Sequence, residues 1–173
     1  PQNSGCLPDV MMTTLLISEN KGILEIRLNR PDLRNALSTL MIQELAQTFR
    51  DANVRQDLRG ILIRGEGKSF CAGADLSDMQ RMVNFSLKEN QADALNLHAM
   101  FDLMAACPVP LVAQVHGAAF GGALGLLAVS DLVLVEEKTQ LGGSEVKLGL
   151  APAVISDFIL RKVPLGFVAP WML

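Results

Sequence analysis

The sequence predicts an α/β domain, and three observations carry that prediction. Short apolar stretches alternate along the chain with longer ones whose apolar residues recur near a 3.6-residue period. Glycine-rich links join several strand ends to the helix that follows. The length of 173 residues suits one core, since a domain of that size buries roughly 70% of the surface its extended chain exposes.

The elements follow in order. Leu15 to Ser18 and Ile23 to Leu28 alternate in polarity and are joined by Glu19-Asn20-Lys21-Gly22, which predicts an opening β-hairpin. Pro31 in Asn29-Arg30-Pro31-Asp32 ends the second strand, because proline has no N–H for a ladder. Ser38 then caps a helix to about Asn53, with Leu40, Met41, Leu45, Thr48 and Phe49 on its apolar stripe. Gly60 to Arg64 predicts a short strand, and about Lys88 to Ala105 a second long helix, carrying Leu95, Leu97, Met100, Phe101, Leu103 and Met104. Cys107-Pro108-Val109-Pro110 stops it. Leu111 to Val115 predicts a strand, Phe120 to Ser130 a short buried helix, and Leu132 to Val135 a further strand.

Composition narrows the function classes. Half of the residues are hydrophobic and only 19% are charged, which leaves apolar surface for a partner subunit. A net charge of -3 with mixed signs argues against a nucleic-acid surface, which concentrates Lys and Arg. Cys6, Cys71 and Cys107 form neither a paired framework nor a metal-ligand spacing, so a reducing compartment is expected, cytoplasmic or, in a eukaryote, the mitochondrial matrix. The longest apolar run, Ala118 to Val129, is shorter than the roughly 20 residues of a membrane span. Residues 1–12 read as a leader or remnant ahead of a core over 13–163.

Two glycine-rich segments stand out chemically: Ser69-Phe70-Cys71-Ala72-Gly73-Ala74-Asp75-Leu76, and His116-Gly117-Ala118-Ala119-Phe120-Gly121-Gly122-Ala123-Leu124-Gly125. Each lies between a strand and a helix. Small residues let another group approach the backbone, and a helix N-terminus offers unpaired N–H donors. Two such elements converging would stabilise a developing oxyanion; tight packing of helix on sheet is the alternative reading of either alone. Neither segment carries the dinucleotide fingerprint or the Lys-Ser/Thr end of a phosphate loop.

These segments, with Asn29-Arg30-Pro31, Asn35-Ala36-Leu37 and Asp131, resemble in order and spacing the enoyl-CoA hydratase/isomerase, or crotonase, superfamily over about Thr14 to Val163. The resemblance implies a crotonase-like spiral of repeated β-β-α units, acyl-CoA thioesters as substrates, and assembly as homotrimers or hexamers. It implies an oxyanion hole from the backbone N–H groups of Ala74 and Gly122. It places Arg34, Ala36 and Ala72, with Asp75 and Leu76 at the loop end, along coenzyme A, and gives Asp75 mainly a capping role. Coenzyme A belongs to the substrate, so no separate cofactor and no metal is implied.

Relatives of this kind use two glutamates. The first position is Gly125 here; the second is Glu145. Glycine neither donates a proton nor orients water, so the two-carboxylate mechanism does not transfer whole. The stretch from Ser144 to Ser156 resembles hydratases of methylglutaconyl-CoA and isohexenylglutaconyl-CoA type, which also carry glycine at the first position. The leading expectation is therefore hydration of a branched 2-enoyl-CoA, as in leucine catabolism, with Glu145 as acid/base. A single-base enoyl-CoA isomerase and a non-catalytic CoA-binding homologue are the alternatives.

Other chemistry-bearing residues have simpler readings. His116 suits a structural hydrogen bond, and His98 a local pair with Asp102 one turn on. Cys71 lacks a Cys-His-Asn arrangement, and Met79, Met82, Met100 and Met104 suit core or acyl-pocket packing. The superfamily extends well past this sequence, so a C-terminal part is expected to be missing. Residues 164–173, apolar with two prolines, read as an unmatched tail that forms no solvated helix.

Overall fold

The computed structural model describes residues 12–143, 149 and 151–172. Strands β1 (Leu15–Asn20) and β2 (Ile23–Leu28) pair antiparallel with Leu15 opposite Leu28 and Asn20 opposite Ile23. The expected hairpin forms, with the turn narrowed to Lys21 and Gly22. Both take positive φ, 51° and 77°, the sense that matches the right-handed twist of the strands it joins.

Helix α1 (Thr39–Ala52) starts where the sequence places it, with the Ser38 hydroxyl accepting from Met41 N–H at 3.2 Å. Its buried apolar face is Met41, Leu45, Phe49 and Ala52, spaced by four, four and three residues. Leu40, expected on that stripe, is 46% exposed, one position off the buried row. Glu44 is buried on the same side and accepts from the N–H groups of Thr13 (2.8 Å) and Thr14 (2.9 Å). Burial alone would raise its pKa; these donors and the two threonine hydroxyls outweigh it and lower the pKa.

Strand β3 (Gly60–Gly65), helices α2 (Leu76–Met82) and α3 (Leu87–Ala105), and strand β4 (Leu111–Val115) follow. Ser86 and Glu89 form a reciprocal capping box at the start of α3. This helix buries Met100, Phe101 and Met104, whereas Leu95 faces away at 68% exposed. Then come β5 (Ala118–Phe120), α4 (Gly122–Val129), β6 (Leu132–Val135), β7 (Gln140–Gly142), α5 (Ala153–Leu160) and α6 (Leu165–Met172). No described helix is long and apolar enough to cross a membrane.

The larger sheet runs β1-β2-β3-β4-β6, parallel throughout except for the opening hairpin. A second ladder pairs β5 with β7 in parallel. Single bridges extend it, Cys71 to Ala119 and Leu37 to Ala74. Two strands followed by a helix thus recur as β1-β2-α1, β4-β5-α4 and β6-β7-α5, the spiral of β-β-α units that was expected. Phe70, Phe101, Leu126 and Ile63 lie in the core between these layers.

Three sequence expectations are corrected. Phe120 belongs to β5 and not to the helix, which begins at Gly122. The three-residue strands β5 and β7 are too short to show alternation, and the sequence reading passed over them. Residues 165–172 are helical despite Pro170. Pro164 sits just before the first turn, where proline is tolerated, and Val168 packs at 7% exposed while Phe167 is 74% exposed.

Candidate active site

The site begins with a loop that the sequence folds back on itself. After β3, a Cβ on Gly65 would lie 2.5 Å from Phe70 O, so glycine permits the reversal that leads into Cys71, Ala72 and Gly73. Asn35 anchors this reversal from the turn after β2. It is fully buried with φ at 55°; its Oδ1 accepts from Arg30 N–H (2.8 Å), and its Nδ2 donates to Glu66 O (2.8 Å) and Ser69 O (2.9 Å). Asparagine is among the few non-glycine types that adopt this backbone readily.

The same turn reaches the loop through its main chain. Ala72 N–H donates to Arg34 O at 2.9 Å, Leu37 N–H to Gly73 O at 2.8 Å, and Asp75 N–H to Leu37 O at 3.1 Å. Asp75 caps α2, with its Oδ1 accepting from Ser77 N–H (2.8 Å) and the Ser77 hydroxyl (2.5 Å), while its Oδ2 meets Arg30 Nη2 at 2.7 Å. Burial pushes its pKa up, but the Ser77 and Arg30 bonds and the helix N–H groups prevail and hold it at about 2. Asp75 is therefore a fixed anion, in keeping with the capping role expected of it.

A second wall comes from the other glycine-rich segment. A Cβ on Gly117 would sit 2.0 Å from Lys68 O, and one on Gly73 2.8 Å from Phe120 O. Absent side chains thus let the two loops approach, and Gly121 N–H donates across to Gly142 O at 3.0 Å. Gly122 opens α4 next to this contact. Among the described residues, neither the Ala74 N–H nor the Gly122 N–H has a hydrogen-bond acceptor.

Both groups border one cleft of about 510 Å³. Its wall is mostly apolar, from Leu37, Ile42, Met79, Met82, Leu97 and Ile155, with Asp75, Asp78, Asn90 and Asp93 as polar members. Asp78 accepts from Thr39 N–H (2.7 Å) and the Thr39 hydroxyl (3.0 Å). Burial, and then the Asp78 charge, raise the pKa of Asp93. Sequence reading missed Asp93, which looks like the solvent face of α3; the signal was the Asn90, Asp93, Ala94, Leu97 stripe at helical spacing.

The expected site residues are placed unequally. Ala74, Gly122 and Asp75 come together at the cleft. Arg34 is exposed with φ at 50°, Ala36 is buried at 8% exposed, Ala72 is half-buried and joined to Arg34 by the main-chain bond above, and Leu76 is 69% exposed. Glu145 lies outside the described residues.

Gly125, which the resemblance places at the first-glutamate position, is buried: a Cβ there would meet Phe101 Cζ at 2.4 Å and Ile155 Cγ2 at 2.8 Å. Phe101 of α3 and Ile155 of α5 fill the space that a side chain at Gly125 would need. Cys71 is fully buried and its thiol pushed up to about 12 by that burial, which removes it as a nucleophile. His116 Nε2 bonds Gly67 O at 3.0 Å, and His98 pairs with Asp102 at 2.9 Å, both structural contacts as expected.

A family model described as enoyl-CoA hydratase/isomerase matches residues 18–171. A protein of Alternaria alternata, enoyl-CoA hydratase AKT6-1, is 36% identical over 147 residues, 84% of this chain and 47% of its own. The human mitochondrial Delta(3,5)-Delta(2,4)-dienoyl-CoA isomerase is 31% identical over 168 residues, 92% of this chain and 51% of its own. The crystal structure of an enoyl-CoA hydratase from Shewanella pealeana superposes with a TM-score of 0.91 at 35% identity, covering 94% of this chain and 61% of that one. The chain thus spans about half to three-fifths of the length of these proteins.

Proposed function

The chain belongs to the enoyl-CoA hydratase/isomerase family, and from that premise we propose that it adds water to a 2-enoyl-CoA thioester held in the cleft. The observation that carries this reading is the pair of backbone N–H groups, Ala74 and Gly122, that lack acceptors among the described residues and border one apolar cleft. Placed on the thioester carbonyl, they stabilise the enolate that forms when a nucleophile adds at the β-carbon. Their donors are set before substrate arrives, so little reorganisation accompanies the step. The adenine and phosphate portions of coenzyme A then lie along Arg34, Ala36 and Ala72, of which Arg34 and Ala72 are already joined by their main chains.

Glu145 serves as the acid/base in this reading, positioning water and returning its proton to the α-carbon. The stretch from Ser144 to Ser156 supports a branched acyl group, of which the methylglutaconyl type is one. The apolar filling over Gly125 supports a mechanism with one carboxylate in place of two. The core at 13–163 is the catalytic unit, and exposed Leu132, Leu134 and Leu141 support assembly with further copies of the chain, as a homotrimer or hexamer.

Turnover of several 2-enoyl-CoAs, followed by loss of the conjugated-thioester absorbance, tests the reading. Glu145→Gln is expected to lower kcat by at least about 100-fold; retention of most of the turnover sinks the assignment. The 31% identity to a dienoyl-CoA isomerase favours isomerisation as the second reading, which predicts conversion of a 3-enoyl-CoA to its 2-enoyl isomer without hydration. Acyl-CoA binding without either reaction would leave a non-catalytic binder.

A further inference from the structure

We infer that Arg30 is a positioning residue for the reaction, acting on the Ala74 N–H through a chain of two peptide groups. The inference rests on the reading that this N–H serves the thioester carbonyl. The guanidinium Nη1 of Arg30 donates to Ala36 O at 2.7 Å. In a trans peptide the C=O and the following N–H point in opposite directions, so Ala36 O and Leu37 N–H form the two ends of one rigid plane. Leu37 N–H donates to Gly73 O at 2.8 Å, which fixes the next plane. The other end of that plane is Ala74 N–H, directed away from Leu37.

Two consequences follow. Orientation passes along the chain: with Gly73 O held by Leu37, the Ala74 N–H cannot turn without breaking that bond. Polarisation passes the same way, because a cation donating to one carbonyl makes the N–H of its peptide a stronger donor to the next. Asp75 holds the guanidinium in place through Nη2 at 2.7 Å, and its own N–H returns to Leu37 O at 3.1 Å. With Arg30 only 19% and Asp75 6% exposed in their side chains, solvent screening of the pair is slight. The Gly122 N–H belongs to a peptide whose own C=O, Gly121 O, accepts from Leu124 N–H at 2.8 Å; among the described residues no guanidinium stands behind it, so the two donors of the site are tuned differently.

The test reads carbonyl polarisation directly. An enoyl-CoA labelled with carbon-13 at the thioester carbonyl is bound to the full chain, and its C=O stretch is measured by infrared difference spectroscopy beside kcat and KM. Binding to the wild type is expected to lower the stretch frequency. Arg30→Met is expected to give back about half of that shift and to lower kcat about tenfold with KM within about twofold; Arg30→Lys restores most of both. A folded Arg30→Met with the wild-type frequency overturns the inference. If Arg30→Met does not fold, Asp75→Asn takes its place, and an unmoved frequency there is equally fatal. No shift on binding to the wild type would instead refute the oxyanion-hole reading, whatever Arg30 does.

Discussion

The two walls that present N–H groups to the cleft both need glycines at close approaches, Gly65 and Gly73 in one and Gly117 and Gly125 in the other, but among the described residues only one of them is also tied by buried polar side chains. The Ala74 wall is held by polar side chains: Asn35, Arg30 and Asp75 bond main chain or one another at 2.7 to 2.9 Å. The Gly122 wall is held by side chains that are missing, since Gly117 and Gly125 each lie where a Cβ would meet a neighbour at under 3.0 Å. The first wall depends on hydrogen bonds, whose net worth is modest but whose orphaned partners are expensive. The second depends on steric fit, which fails abruptly when volume is added. Each wall should therefore break under a different kind of substitution.

The largest effect is expected at Gly125. Gly125→Glu places a carboxylate at the first-glutamate position, yet its Cβ alone would stand 2.4 Å from Phe101 Cζ. Overpacking costs about 1 to 3 kcal/mol, and burying a charge adds to it, so a loss of about 4 kcal/mol in urea unfolding is expected. Phe101→Leu removes the ring atoms in conflict and should recover part of the loss in the double variant, a non-additivity that marks direct contact. Wild-type stability in the single variant would show that this wall is not sterically closed.

Next comes the anchor of the polar wall. Asn35→Ala orphans Glu66 O, Ser69 O and Arg30 N–H, and puts alanine at a φ of 55°. Buried unsatisfied groups and left-handed strain each cost about 1 to 3 kcal/mol. A total near 3 kcal/mol is expected, since partial relaxation offsets some of it. Asn35→Gly relieves the backbone strain and should regain about 1 kcal/mol by the same urea measurement. If alanine and glycine behave alike, the left-handed conformation contributes nothing.

The comparison also explains what could be read in the sequence. Local signals sufficed for the hairpin, for the Ser38 cap and for the long helix, because a turn glycine or a capping hydroxyl acts within a few residues. The two N–H loops were legible from their small residues and the resemblance they carry. The Arg30 to Asp75 pair was not, because it joins segments distant in sequence that meet only in the fold, through the Leu37 to Ala74 bridge and the Ala72 to Arg34 main-chain bond. Phe101 read as core, with nothing to say that it covers Gly125. Pro170 misled in the other direction, because one missing N–H near a helix end is weaker than the packing of Val168.

The smallest expected effect separates the walls by pH. Asp75 has a folded pKa of about 2, below the roughly 3.9 of an unfolded aspartate. A depressed carboxylate stabilises the fold above its unfolded pKa, and that contribution is lost as pH falls through the folded value. The difference corresponds to about 2 to 3 kcal/mol, present at about pH 7 and mostly gone near pH 2. Urea unfolding of wild type and Asp75→Asn should show a gap of that size at neutral pH, closing mostly between about pH 4 and 2. Gly125→Ala, which touches no titrating group, should keep its deficit across the same range. A gap at Asp75 that ignores pH would mean the carboxylate is held by shape, and the two walls would then differ less than their contacts imply.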